Sequence, residues 1–275
     1  MQYDPIKRSL GKIFNKTPFF RISFYRLLDI LLLRTWHVKK EIKDWAKNKS
    51  GKINILDAGS GFGQYSYFLS KINNNWEITG IDVKEEQVED CNNFSRKTGL
   101  KNTFFETADL TTFIKKNTFD LILSVDVMEH ILEDVKVFEN FYQSLKDGGM
   151  ILISTPSDQG GSDVHDHDKN DSSSFIDEHV RDGYNINEIQ EKLKKAGFST
   201  TEAKYVYGTP GNISWRLSMK YPIKMLSVSK LFFILLPFYY LITLPVFLIL
   251  NYLDVKLKHK TGTGLIVKAW KEMSR

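Results

Sequence analysis

Cysteine is almost missing from these 275 residues: Cys91 stands alone. That excludes an internal disulfide framework and fits a reducing compartment. An export signal is also missing by the usual pattern, because the apolar run 27–33 is short, is interrupted by Asp29 and has no small-residue cleavage site after it. Cytoplasmic residence is the resulting expectation. A strong excess of one charge is absent too: 38 Lys and Arg against 33 Asp and Glu leave a formal net charge of +5. That balance suits a solvated surface with a small lysine surplus, an anionic membrane surface or nucleic acid, and chooses none of them. The longest run without any charge is Leu231 to Leu253.

What is present is first a basic and aromatic segment, 1–50, read as an N-terminal helical cap with one helix over 24–47. Thereafter short apolar runs at 53–57, 76–82, 102–106, 119–124 and 150–155 alternate with helical patterns near 63–73, 85–98 and 132–146. Such alternation predicts a parallel α/β sheet covered on both faces, since each crossover helix must bury a stripe. Gly148 and Gly149 are expected to stop the third helix. The polar stretch 156–183 reads as a long loop, 186–198 as a helix, and 200–208 and 261–270 as two further strands.

The chemistry sits in ILDAGSGFGQYS, 55–66. A buried strand ends at Asp57, and Gly59, Gly61 and Gly63 permit a tight turn into a helix with close backbone approach of a ligand. No Lys-Ser/Thr pair follows, so a phosphate-cradling P-loop is excluded. A carboxylate at the strand tip repels pyrophosphate and suits hydroxyls, an amino group or a positive charge. The second strand ends in Asp82, where a doubly wound fold holds a ribose diol, and the third leads to Asp109, where a base amino group can be read. These acids share the carboxyl edge of the sheet and imply a neutral or cationic nucleoside.

Together with GIDV, TADL, FDLILSVDVMEHI and LKDGGMILISTP, that stretch resembles the class I S-adenosylmethionine-dependent methyltransferases, in their order and spacing, over about 50–208 and the last strand. The resemblance implies a Rossmann-like, seven-stranded, mostly parallel sheet with helices on both faces and an antiparallel last strand beside the fifth. It implies S-adenosyl-L-methionine as cofactor, with Asp57, Gly59, Ser60, Gly61 and Gly63 near its methionine part and Asp82 and Val83 at the ribose. Asp109 and Leu110 would meet the adenine, and Ser124 completes the set. SVDVMEHI resembles the small-molecule branch of the family. It offers Asp126, Glu129 and His130, of which His130 is the natural general base because its ordinary pKa lies near neutrality. The segment 178–198 nominates His179, and behind it Arg181 and Tyr184. HDHD at 165–168 invites a metal, but alternate residues on a loop seldom close a site, and no metal is expected.

The uncharged run is long enough to cross a bilayer. Its flanks, however, belong to two strands expected in one sheet, and both flanks are basic. A single crossing is therefore disfavoured. Pro237 and Pro245 are expected to break the run into short pieces and to favour a bent hairpin. The resulting expectation is a methyltransferase domain over 51–275 with an apolar insertion at 209–260, associated with a membrane peripherally or monotopically through 225–255. Its acceptor would be a small or lipid-like molecule, methylated at a hydroxyl oxygen. An RNA methyltransferase and a non-catalytic membrane adaptor are the alternatives. Nucleic acid is not the expected partner, because the lysines lie beside apolar residues and no RNA-binding module is visible.

Overall fold

The computed structural model describes residues 17–47, 49–160, 180–229 and 231–273. Its centre is a seven-stranded sheet: β1 (Ile53–Ala58), β2 (Trp76–Asp82), β3 (Thr103–Thr107), β4 (Phe119–Val125), β5 (Leu145–Pro156), β6 (Thr200–Val206) and β7 (Gly264–Trp270). The spatial order is β3-β2-β1-β4-β5-β7-β6. The first five strands are parallel, and β7 runs antiparallel between β5 and β6. This is the architecture expected from the sequence.

Alternation of side chains splits the core in two. Leu56, Ile122, Ile151, Ile153 and Val267 face α5 (Asp134–Ser144) and α6 (Ile186–Lys195). Ile55, Leu121, Leu123, Leu152 and Ile266 face the other way, onto α2 (Leu33–Ala46) and α3 (Gln64–Ile72). Helix α4 (Glu85–Thr98) packs beyond β2 and β3, burying Val88 and Cys91 against Phe105.

Three local expectations are corrected. The N-terminal segment forms two helices: α1 (Pro18–Leu31), capped by the Thr17 hydroxyl, and α2, parted by an extended Leu32. The break lets α1 lean on the glycine turn while α2 buries Val38 and Ile42 under the sheet. Second, α5 ends at Ser144 and β5 begins at Leu145, so Gly148 and Gly149 lie inside a strand.

Third, the apolar run is not cut at its prolines. A single helix, α9 (Phe232–Lys256), contains both Pro237 and Pro245. The hairpin does exist, formed by an outward arm that ends at Val228 and a returning helix that starts at Phe232. The outward arm leaves β6 as α7 (Thr209–Trp215), widens through a π turn (Arg216–Lys220) and ends as α8 (Tyr221–Val228), and α9 returns to β7. Tyr239 donates its hydroxyl to the Leu217 carbonyl at 2.7 Å and Tyr240 to that of Ser218 at 2.9 Å.

The hairpin is fastened at its base by Asp254, which is fully buried. One carboxylate oxygen meets His37 Nε2 at 2.8 Å and accepts the Tyr207 amide at 3.1 Å. The other accepts the Gly211 amide at 3.0 Å, in the first turn of α7, and lies 3.1 Å from His259 Nε2. A Cβ at residue 211 would stand 2.6 Å from that oxygen, so the approach requires glycine. Burial alone would raise the Asp254 pKa, but the two histidines and the backbone donors outweigh it and hold the group below the usual carboxylate range. Removing a partner from a buried charge cluster is costly. Asp254→Ala is expected to lower the unfolding free energy by about 3 kcal/mol, measured from denaturant midpoints, with Asp254→Asn losing less. A loss inside experimental error would exclude Asp254 as the anchor.

Candidate active site

The carboxyl ends of the parallel strands meet the glycine turn, and each part of it is tied down. Gly59, Gly61 and Gly63 all have positive φ, 77°, 50° and 72°. The Gly59 and Ser60 amides donate to the Ile81 carbonyl at 2.9 and 2.8 Å. Asp82 accepts the Gly61 amide at 3.0 Å through one oxygen and the Lys84 amide at 2.9 Å through the other. The acid of β2 therefore shapes the turn of β1 while its remaining lone pairs face the same edge.

Asp57 is 2% exposed and accepts the Ser66 hydroxyl at 2.6 Å. Burial pushes its carboxyl up to about 6, against the Ser66 bonds and with the charge of Asp82 adding to the rise. The buried Ser60 and Ser124 hydroxyls find no hydrogen-bond partner among the described residues. A strand-tip carboxylate with no cation paired to it among the described residues, a glycine turn open above Gly61 and two hydroxyls unpaired among those residues fit a cationic nucleoside ligand. Asp109 is exposed, with one oxygen accepting from the Thr111 amide and hydroxyl at 2.8 Å, and the Ala108 amide bonds the Asp82 carbonyl. Val83 is exposed, whereas Leu110 turns mostly into the core.

Beyond β4 the chain enters a short 3-10 turn, Met128–His130. Glu129 is buried, accepts the Thr155 hydroxyl at 3.1 Å, and has its carboxyl raised by that burial against the neighbouring His130 charge. His130 is exposed at the end of the turn. His179 and the HDHD stretch lie outside the described residues. Val180 is described, and its amide donates to the Glu129 carbonyl at 3.0 Å, so the chain returns beside the 3-10 turn. Arg181 and Tyr184 are engaged by framework contacts. Arg181 pairs with Asp134, and the fully buried Tyr184 bonds Asp134 at 2.8 Å and the Met128 carbonyl at 3.1 Å.

Two arginines were missed from sequence. Arg21, 3% exposed, donates to the Phe62 carbonyl inside the glycine turn at 2.8 Å and to the Asp90 backbone carbonyl at 3.0 Å. Tyr25, one helical turn along, shares the Phe62 carbonyl. Arg34 pairs with Asp126, and its amide donates to the Tyr207 hydroxyl at 2.7 Å. Asp126 and Tyr207 follow β4 and β6 and both have positive φ, 51° and 58°. That conformation is an outlier for tyrosine. Polar residues at i, i+4 in α1 and at i, i+3 in α2 were the signal for an inward polar stripe.

A doubly wound sheet with an inserted antiparallel seventh strand, a glycine turn and acids at three successive strand ends defines the class I S-adenosylmethionine-dependent methyltransferases. The chain belongs to the methyltransferase-domain family, whose model matches residues 49–204. Phosphoethanolamine N-methyltransferase 3 of Arabidopsis thaliana is 31% identical over 173 residues, 60% of this chain and 32% of that protein. The ubiquinone biosynthesis O-methyltransferase of Rickettsia prowazekii is 28% identical over 108 residues, 39% of this chain and 42% of that one. Phosphoethanolamine N-methyltransferase 2 of Haemonchus contortus, solved with S-adenosyl-L-methionine, superposes with a TM-score of 0.63 at 17% identity, covering 97% of this chain and 60% of its own, which shows the shared fold. The chain spans about a third of the length of the plant relatives.

The raised Asp57 pKa has a sign that can be checked. Its folded value lies above the ordinary carboxylate range, so ionising it costs stability as pH rises from about 4 through about 6. A cationic ligand at the strand tip offsets that cost only when Asp57 is charged. Affinity for S-adenosylmethionine is therefore expected to fall below about pH 6, by up to about tenfold per pH unit. Titration calorimetry across pH 5 to 8 reads this directly. A pH-independent affinity, or Asp57→Asn retaining the same profile, would refute the assignment.

Proposed function

We propose that this protein transfers the methyl group of S-adenosylmethionine to a hydroxyl oxygen of a small, lipid-like acceptor at a membrane surface. The observation that carries the reading is the place of the apolar hairpin. Its base leaves β6 at the carboxyl edge of the sheet, the edge that holds the glycine turn, and Arg34 links Tyr207 there to Asp126 beside the 3-10 turn.

Bound in this cradle, S-adenosylmethionine supplies an electrophilic methyl on a sulfonium that leaves as a neutral thioether. The chain's part is alignment and proton removal. The glycine turn would bring its backbone close to the cofactor, Asp82 would hold its hydroxyls, and the Asp57 charge would favour the cation. His130, at the rim, takes the acceptor's proton as the oxygen–carbon bond forms. Glu129 behind it, anchored by Thr155, orients the turn, and His179 is the second candidate base on the returning segment. The two relatives named above methylate, by name, a nitrogen and an oxygen acceptor. The exposed apolar surface beside the site favours an acceptor carried in lipid.

Methyl transfer from labelled cofactor to membrane lipid extracts, with the product identified by mass spectrometry, tests the proposal. Asp82→Ala should abolish cofactor binding, while His130→Ala should bind cofactor normally and lose about 10²-fold in turnover. Failure of the wild-type protein to bind S-adenosylmethionine by calorimetry would end it. Methylation confined to water-soluble acceptors would remove its lipid part.

A further inference from the structure

The two arms of the hairpin differ chemically, and the difference faces opposite ways. On α9, Leu236, Tyr240, Phe247, Asn251 and Asp254 lie on one side, turned to the outward arm, where Ser214 bonds Asn251 and the Phe247 carbonyl. Leu235, Phe238, Ile242 and Ile249 lie on the far side and are 50–73% exposed. On the outward arm Gly211, Ser214 and Ser218 turn inward. Helical spacing sets Arg216, Lys220 and Lys224 on the face away from α9, with Arg216 and Lys224 exposed and Lys220 against the Trp215 ring. The hairpin is thus a two-layer plate with cations above and an apolar sheet of side chains below. From residue 208 to 253 the sequence holds Arg216, Lys220, Lys224 and Lys230 and no acid, so this segment supplies most of the chain's +5 charge.

We propose that the hairpin lies flat in the interface of an anionic phospholipid bilayer, with α9 among the upper acyl chains and the outward arm at the level of the phosphates. The proposal rests on the membrane-surface reading above and adds an orientation and a lipid charge to it. Packed helices stand 8–10 Å apart, about the distance from the upper acyl chains to the phosphates that an interfacial helix spans. A plate of that thickness serves both layers at once. Insertion tip-first, along a helix of 25 residues or about 37 Å, would instead draw Lys220 and Lys224 into hydrocarbon, where cations are expensive. It would also put the polar Ser227 and Ser229 at the leading end.

The test uses the full chain with an environment-sensitive fluorophore on Leu235→Cys, Ile242→Cys or Ile249→Cys, leaving the buried Cys91 as it is. Depth is read by quenchers placed at different levels in vesicles of phosphatidylcholine, alone or mixed equally with phosphatidylglycerol. Seven residues apart on one face, the three sites should report one shallow depth on the anionic vesicles and little binding to the neutral ones. Lys220→Ala with Lys224→Ala should weaken vesicle binding by about fivefold per lysine, and salt should do the same. Depths stepping by about 10 Å from site to site would overturn the flat placement in favour of a crossing hairpin. Equal binding to neutral vesicles would overturn the anionic preference. No binding to either, with a concentration-dependent dimer in sedimentation, would overturn the proposal and assign α9 to a second copy of the chain. Cofactor binding measured on the same variants keeps these outcomes apart from a failure of the methyltransferase reading itself.

Discussion

Antiparallel pairing of β6 with β7 is the constraint on which the rest of the molecule turns. Two neighbouring strands of opposite direction oblige any insertion between them to leave and re-enter at one edge of the sheet. In this chain that edge is the carboxyl edge of the parallel strands, where a doubly wound fold binds its ligand. Asp254 turns a topological obligation into a rigid joint. A single buried carboxylate holds the returning helix, the start of the outgoing one, the end of β6 and α2. Through His37 and Arg34, α2 carries that joint to the loop after β4.

The cofactor end has the complementary economy. Helix α1 reaches the site through Arg21 and Tyr25, which grip the Phe62 carbonyl and hold the glycine turn from outside. The turn is therefore set by the sheet below and a helix above, and the acids at the strand tips are left to do electrostatic work. Asp57, buried with the charge of Asp82 nearby, carries an unfavourable charge that a bound cation would relieve.

The strands, the glycine turn and the acids after them were legible in the sequence, because each rests on a short-range rule: apolar runs of strand length, glycine where φ is positive, an acid at a strand end. The place of the seventh strand beside the fifth came from the family resemblance and not from any such rule. The extended Leu32 was not legible, because no proline or glycine marks it and the break serves contacts made far along the chain. Pro237 and Pro245 misled for the opposite reason. Their local cost is real, but α9 is held by its packing on the outward arm, and most helical stability comes from such packing. Both prolines sit on its exposed side. Arg34 and Asp126 are 92 positions apart by their numbering and meet only once β4 and α2 have closed on the same edge.

The π turn in the outward arm bears on how the hairpin responds to its surroundings. Two of its carbonyls, those of Leu217 and Ser218, accept hydrogen bonds from neighbouring tyrosines on the facing helix. Sliding one arm along the other would break both of these hydrogen bonds at once. The arms are thus locked in one register, and the plate behaves as a stiff outrigger whose reach is written in the protein. On a membrane, the height at which the catalytic edge rides would follow from that outrigger and stay the same as the thickness of the lipid beneath it changes.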